Sequence, residues 1–196
     1  MDTYVGVMVE IKLRTAVIDL YLSGRQNAGY LATNIEVIGL QFRKIFELIA
    51  LSSLAAHRDL YSRASADFAK HWEATKLLKN VRLLNPDFYP KPVIDEKTAQ
   101  PGMKSNLRPR DPDYLTEDEL VQAHGRCGSL MHAANPFGKG IDYAFFDRCF
   151  PEWRTKTINL LNSHLLHVPG DTGFYLVHMQ EDGKDGVTWY KFGRKD

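Results

Sequence analysis

This sequence has only two cysteines, Cys127 and Cys149. That number excludes a dense disulfide framework and an all-cysteine tetrahedral zinc site built from one chain, and it points to a reducing, cytoplasmic setting. A dominant charge of one sign is also missing, since 25 Lys and Arg against 24 Asp and Glu leave a formal net charge of +1. A nucleic-acid partner would therefore need a local basic patch, or a dimer that gathers charge. No apolar run reaches the roughly 18 residues of a membrane span. Glu10, Lys12 and Arg14 interrupt the early apolar stretch, so no signal peptide and no membrane partner are expected. Prolines are sparse outside one region: six of the nine lie between Asn85 and Leu115.

What is present is an ordinary globular balance, 44% apolar and 25% charged over 196 residues, enough for one packed core. Apolar positions near helical spacing predict a first helix over about Thr3–Leu22, with Ser23-Gly24 as its stop. The capping pattern Thr33-Asn34-Ile35-Glu36 opens a second helix running from Ile35 to about His57. A third is predicted over Ala66–Leu84, and a long irregular Pro-rich loop over 85–115. A further helical region covers about Tyr143–His167, with Pro151 kinking or splitting it. Phe174–Met179 and Val187–Phe192 are β-branched and aromatic, with Asp182-Gly183 and Asp185-Gly186 between them, which reads as a β-hairpin. The expected fold is thus mainly α, a bundle of about five helices over 1–170 with a C-terminal β-hairpin over 171–196 packed on it.

The richest stretch is Leu120–Phe137, LVQAHGRCGSLMHAANPF. Thr116-Glu117-Asp118-Glu119 forms a capping box with acidic residues suited to the helix dipole, and Asn135-Pro136 marks the far end. At about 100° per residue, Leu120, Ala123, Leu130, Met131 and Ala134 share one side. Gly125, Gly128, Ser129 and His132 share the other, with Arg126 at its edge. Two glycines inside a helix cost roughly 1 kcal/mol each against alanine, so a close contact is expected to use them. Gly125 and Gly128 are the candidate dimer face.

Arg126-x5-His132, placed on a late helix of a predicted bundle, resembles the Arg-x(4–6)-His motif of the HEPN superfamily of small α-helical domains. Gly39–Ile49, GLQFRKIFELI, is similar to the long early helix of many such sequences. The resemblance covers about residues 3–167 in architecture and only short patches in residue pattern. Many active members carry a polar residue after the motif arginine, where this chain has Cys127. The resemblance implies a metal-independent endoribonuclease, of the kind found in toxin–antitoxin and phage-defence systems, that needs no cofactor. RNA would be the substrate, a homodimer the active form, and an antitoxin or regulatory protein a further partner. Arg126 and His132 would be catalytic. His132 would move protons near neutrality, and Arg126 would hold phosphate oxygens with paired hydrogen bonds. Ser129, Arg43 and Glu47 would support them.

Each of these residues also has a plainer reading. Arg43 and Glu47, four apart, can simply brace their helix. His132 could bond within the bundle, and Arg126 could pair with a surface carboxylate. Lys104, Arg108 and Arg110 make the Pro-rich segment basic, as a substrate-contacting loop or as a solvated connection. His124 and Cys127 have a His-x2-Cys spacing without further ligands, so no metal is expected. Cys127, on the apolar stripe, reads as inert, and Trp72, Trp153 and Trp189 read as packing residues. In function, the alternative to a nuclease is a non-catalytic HEPN-like module binding a protein or nucleotide, or a bundle with a purely structural role.

Overall fold

A computed structural model describes residues 1–55, 62, 66, 74–97, 105–110 and 113–193. Its first helix, α1 (Asp2–Leu22), ends where expected: Gly24 takes φ +71° and donates its N–H to the Tyr21 carbonyl at 3.1 Å. The second, α2 (Leu31–Ser52), packs back along it, and Arg14 reaches the Gln41 side-chain oxygen at 2.8 Å. The predicted start of α2 needs correction. Thr33 lies inside the first turn, accepting from the Tyr30 N–H at 3.3 Å, while Glu36 accepts from the Tyr143 hydroxyl at 3.2 Å. Then come α3 (Ala74–Leu84), α4 (Glu117–Gly128) with a 3-10 turn over Ser129–Met131, and α5 (Tyr143–Leu161). The predicted beginning of α3, and Trp72, lie almost entirely outside the described residues.

The helices bury one aromatic cluster. Phe42 stacks on Phe46 and Phe150 with ring centroids 5.6 and 5.3 Å apart, and the edge of Trp153 meets Phe42 at 5.8 Å. Such pairs add about 0.5–1.5 kcal/mol each to the area they bury. Trp153 is a packing residue, as its sequence context suggests. Pro151 sits within α5, which runs through it unsplit.

A mainly α bundle with one small hairpin is not what forms. The fold is mixed, with a five-stranded sheet beside the helices. Strands β1 (Lys91–Lys97) and β2 (Ser105–Pro109) arise inside the segment predicted as an irregular loop. The predicted helix over Tyr143–His167 ends at Leu161 and gives way to β3 (Ser163–Leu166). The expected hairpin is present as β4 (Phe174–His178) and β5 (Thr188–Phe192), with Gly183 and Gly186 at φ +75° and +78° in its connection. The sheet order is β2-β1-β3-β4-β5, every neighbouring pair antiparallel. The hairpin is therefore the far end of one sheet, not an appendage.

The middle strands of this sheet are buried against the rest of the fold. His164 pairs with Val177 and Leu166 with Tyr175, and all four are buried. Tyr4 of α1 stitches the two layers, its hydroxyl 2.6 Å from His164 Nε2, while His164 Nδ1 donates to the Leu161 carbonyl at 2.7 Å. A carbonyl can only accept, so Nδ1 carries the proton and Nε2 accepts from Tyr4. No helix among the described residues is long and apolar enough to cross a membrane.

Candidate functional site

The site region is built on the C-terminal half of α4. Its start follows the sequence pattern: Thr116 Oγ1 accepts from the Glu119 N–H at 3.3 Å, and a Glu119 carboxylate oxygen accepts from the Thr116 N–H at 2.9 Å. The buried stripe comprises Leu120, Ala123, His124 and Cys127. Leu130 continues it, whereas Ala134 is exposed. Burial pushes the Cys127 thiol up to about 12 against the opposing charge of Arg43, so the thiolate is scarce at neutral pH and the cysteine is a packing group.

His132 does not lie on the helix. The α-helical pattern ends at Gly128, one 3-10 turn follows, and His132 has extended backbone, φ −128° and ψ 148°. The reason lies on α2. A Cβ on Gly39 would stand 2.3 Å from Leu130 Cδ1, so glycine there lets Leu130 dock on the α2 backbone, and the chain tightens to reach it. His132 then leads into an exposed run through Gly140, in which Asn135 Oδ1 accepts from the Phe137 N–H at 3.0 Å and Phe137 is 97% exposed.

Arg126 is exposed, its guanidinium carbon 5.2 Å from the centroid of the Phe145 ring at the start of α5. This cation–π contact is worth about 0.5–1 kcal/mol at an exposed position. No hydrogen bond or ion pair within the described residues engages the side chain of Arg126 or of His132. Ser129 turns back on its helix, donating to the Arg126 carbonyl at 2.8 Å.

The supporting residues group one turn earlier. One carboxylate oxygen of Glu47 lies 3.3 Å from Arg43 Nε and 3.2 Å from His124 Nε2, joining α2 to α4. His124 is 3% exposed. Its role in this tether was missed in the sequence, although its place four residues after Leu120 and three before Cys127 puts it on the inner stripe. The two glycines part company. Gly125 faces open space, while a Cβ on Gly128 would meet Arg43 Nη1 of the same chain at 3.3 Å.

The basic residues of the former loop also diverge. Arg108, on β2, is paired with Glu96 at 2.6 Å, and Arg110 lies just past that strand beside a cavity. Lys104 is outside the described residues. No group of three or more His, Cys, Asp or Glu side chains able to hold a metal ion occurs among the described residues. Comparison with family models, with curated proteins and with solved structures finds no match for this chain.

Proposed function

We propose that the exit of α4 is an RNA-cleaving surface of HEPN type, working without a metal ion and completed by a second copy of the chain. One observation carries this reading. His132 is the one exposed histidine among the described residues, and Arg126, six positions earlier, is exposed with its guanidinium N–H donors unengaged among them. His124, His164 and His178, by contrast, are buried beside partners. A proton carrier and a permanent cation therefore share one open helix exit.

In the proposed reaction the ribose 2′-hydroxyl gives up its proton and attacks the adjacent phosphorus. The bond to the 5′-oxygen of the next nucleotide breaks, leaving a 2′,3′-cyclic phosphate and a 5′-hydroxyl. One His132 takes the first proton and the His132 of a second copy protonates the leaving oxygen. Arg126 offsets charge on the phosphorane-like transition state. Gly125 on α4 and Ser129 in the 3-10 turn after it, both exposed, are the surface on which two copies would meet. Gly128, packed on Arg43, is set further in.

A second reading is favoured by the break in the helix. With His132 beyond a 3-10 turn and Arg126 resting on Phe145, one chain does not align the pair on a helical face. Phe137, in the exposed run that follows His132, supplies an aromatic contact suited to a partner protein. The purified protein incubated with single-stranded RNA in excess chelator separates the readings. Cleavage leaving 2′,3′-cyclic phosphate ends, with DNA untouched, supports the nuclease. Absence of cleavage, with a partner protein bound in a manner sensitive to Phe137→Ala, supports the non-catalytic module. In the nuclease reading, an effector role in a toxin or defence system is the setting the motif suggests.

A further inference from the structure

At the other end of α4, a cavity of about 650 Å3 opens between α3, the β1–β2 pair and Glu117. Its size falls within the roughly 300–1,000 Å3 of small-molecule sites. The helix rises about 1.5 Å per residue, so Glu117 and Arg126 are separated by about 14 Å along α4. The cavity is thus distinct from the helix exit.

Three cations and two carboxylates line it, and their pairing is uneven. Arg82 is bound to Glu117, and Lys91 to Asp87 at 2.8 Å. Each carboxylate is thereby matched, and Arg110 is left over. Its backbone N–H donates to the Pro92 carbonyl at 3.1 Å, fixing where the side chain begins. Among the described residues its Nη1 reaches only Asn159 Oδ1, at 3.4 Å, and its buried Nε has no acceptor. No ion-pair partner of Arg110 occurs among the described residues. An anion entering the cavity would meet the guanidinium N–H groups of Arg110 that have no partner among the described residues.

The walls favour a flat, apolar body attached to that anion. Tyr89 is fixed by donating its hydroxyl to the Leu115 carbonyl at 2.7 Å, and Phe88 meets its ring edge-on at 5.8 Å. Tyr114 is half-buried on the same cavity. Rigid aromatic and proline surfaces accept a stacked ring with little loss of side-chain freedom.

We infer that this cavity binds a single nucleotide, its phosphate on Arg110 and its base against the tyrosine and proline walls. The site stands whether or not Arg126 and His132 cleave RNA, and calorimetric titration reads it without any turnover. The ligand is either a free nucleotide or the phosphorylated end of an RNA strand.

The test titrates the full chain with AMP, adenosine, inorganic phosphate and benzoate. AMP should bind at least tenfold more tightly than each of the other three, and Arg110→Gln should lower its affinity at least tenfold. The double variant R126A/H132A should bind AMP as wild type does. If Arg110→Gln lowers stability, AMP-induced NMR shifts at Tyr114 and Leu165 of the wild-type chain take its place as the readout. Competition by a 5′-phosphorylated RNA tetramer, and not by its 5′-hydroxyl form, assigns the site to RNA ends. AMP binding without that competition assigns it to free nucleotides. Lack of AMP binding overturns the inference, as do equal affinity for adenosine, phosphate or benzoate, wild-type affinity in Arg110→Gln, or shifts confined to the α4 exit.

Discussion

The seam between α1 and the sheet and the exit of α4 both carry histidine, and they use it in opposite ways. At the seam His164 is fully buried, with both ring nitrogens bonded and its tautomer fixed by Tyr4 and Leu161. At the exit His132 is exposed, with no side-chain partner among the described residues. The first arrangement resists protonation and holds two layers together. The second leaves the ring open to solvent and to whatever approaches. Burial and partners, not residue type, separate a structural histidine from a candidate catalytic one.

Removing the seam bond should give the largest stability effect. Tyr4→Phe leaves His164 Nε2 buried without a donor and should cost about 1–3 kcal/mol, read by denaturant midpoint, with no loss of function per folded molecule. Gly39→Ala should cost less, because the new methyl collides only with the end of the flexible Leu130 side chain, which can shift, and alanine favours the helix. A wild-type midpoint in Tyr4→Phe would break the contrast between the two regions.

The pH dependence follows from the same burial. Desolvation holds the His164 imidazole down at about 4 from its usual 6.5, with the bond to the Leu161 carbonyl opposing and the nearby His178 adding to the shift. The unfolded chain then takes up this proton below pH 6.5 while the folded chain does not until near pH 4. The contribution is fully present above pH 6.5 and is lost as the pH falls from 6.5 towards 4. The slope should be on the order of 1 kcal/mol per pH unit, and His164→Gln should flatten it. Urea melts across that window would show this directly.

At the exit the corresponding change is small and of opposite sign. Gly125 is helical, exposed and faces open space, so Gly125→Ala should stabilise the monomer by about 1 kcal/mol. Gly125→Trp should leave the monomer folded and split a homodimer formed on this face. Sedimentation equilibrium showing wild-type chain as a monomer at micromolar concentration would remove the dimer from the account.

Features set by neighbours in sequence were legible: the Thr116–Glu119 box, the stop at Gly24 and the turn glycines of the β4–β5 hairpin. Features set across the chain were not. In β1, Pro92 pairs with His164, and a Pro-rich stretch carries little sign of a strand whose partner lies seventy-two positions away. Proline at the second residue of β1 is tolerated because its carbonyl still accepts, from Arg110. The end of α4 at Gly128 was likewise hidden, since it depends on Leu130 meeting Gly39. That distant contact moved His132 off the helix, and with it the geometry of the candidate site. Arg126 and His132 could be picked out as chemistry-bearing residues, whereas their exposure and separation required the fold.

The central claim is that Arg126 and His132 carry RNA cleavage, and one side-by-side measurement tests it most directly. Wild type, His132→Ala and Arg126→Ala, matched for folded concentration, are compared on single-stranded RNA in chelator. Both side chains are exposed, and Arg126 touches only the Phe145 ring, so the thermal midpoint should hold in His132→Ala and fall slightly in Arg126→Ala, while cleavage falls about 10²–10⁴-fold in His132→Ala and comparably in Arg126→Ala. Cleavage at the wild-type rate by both variants would contradict it.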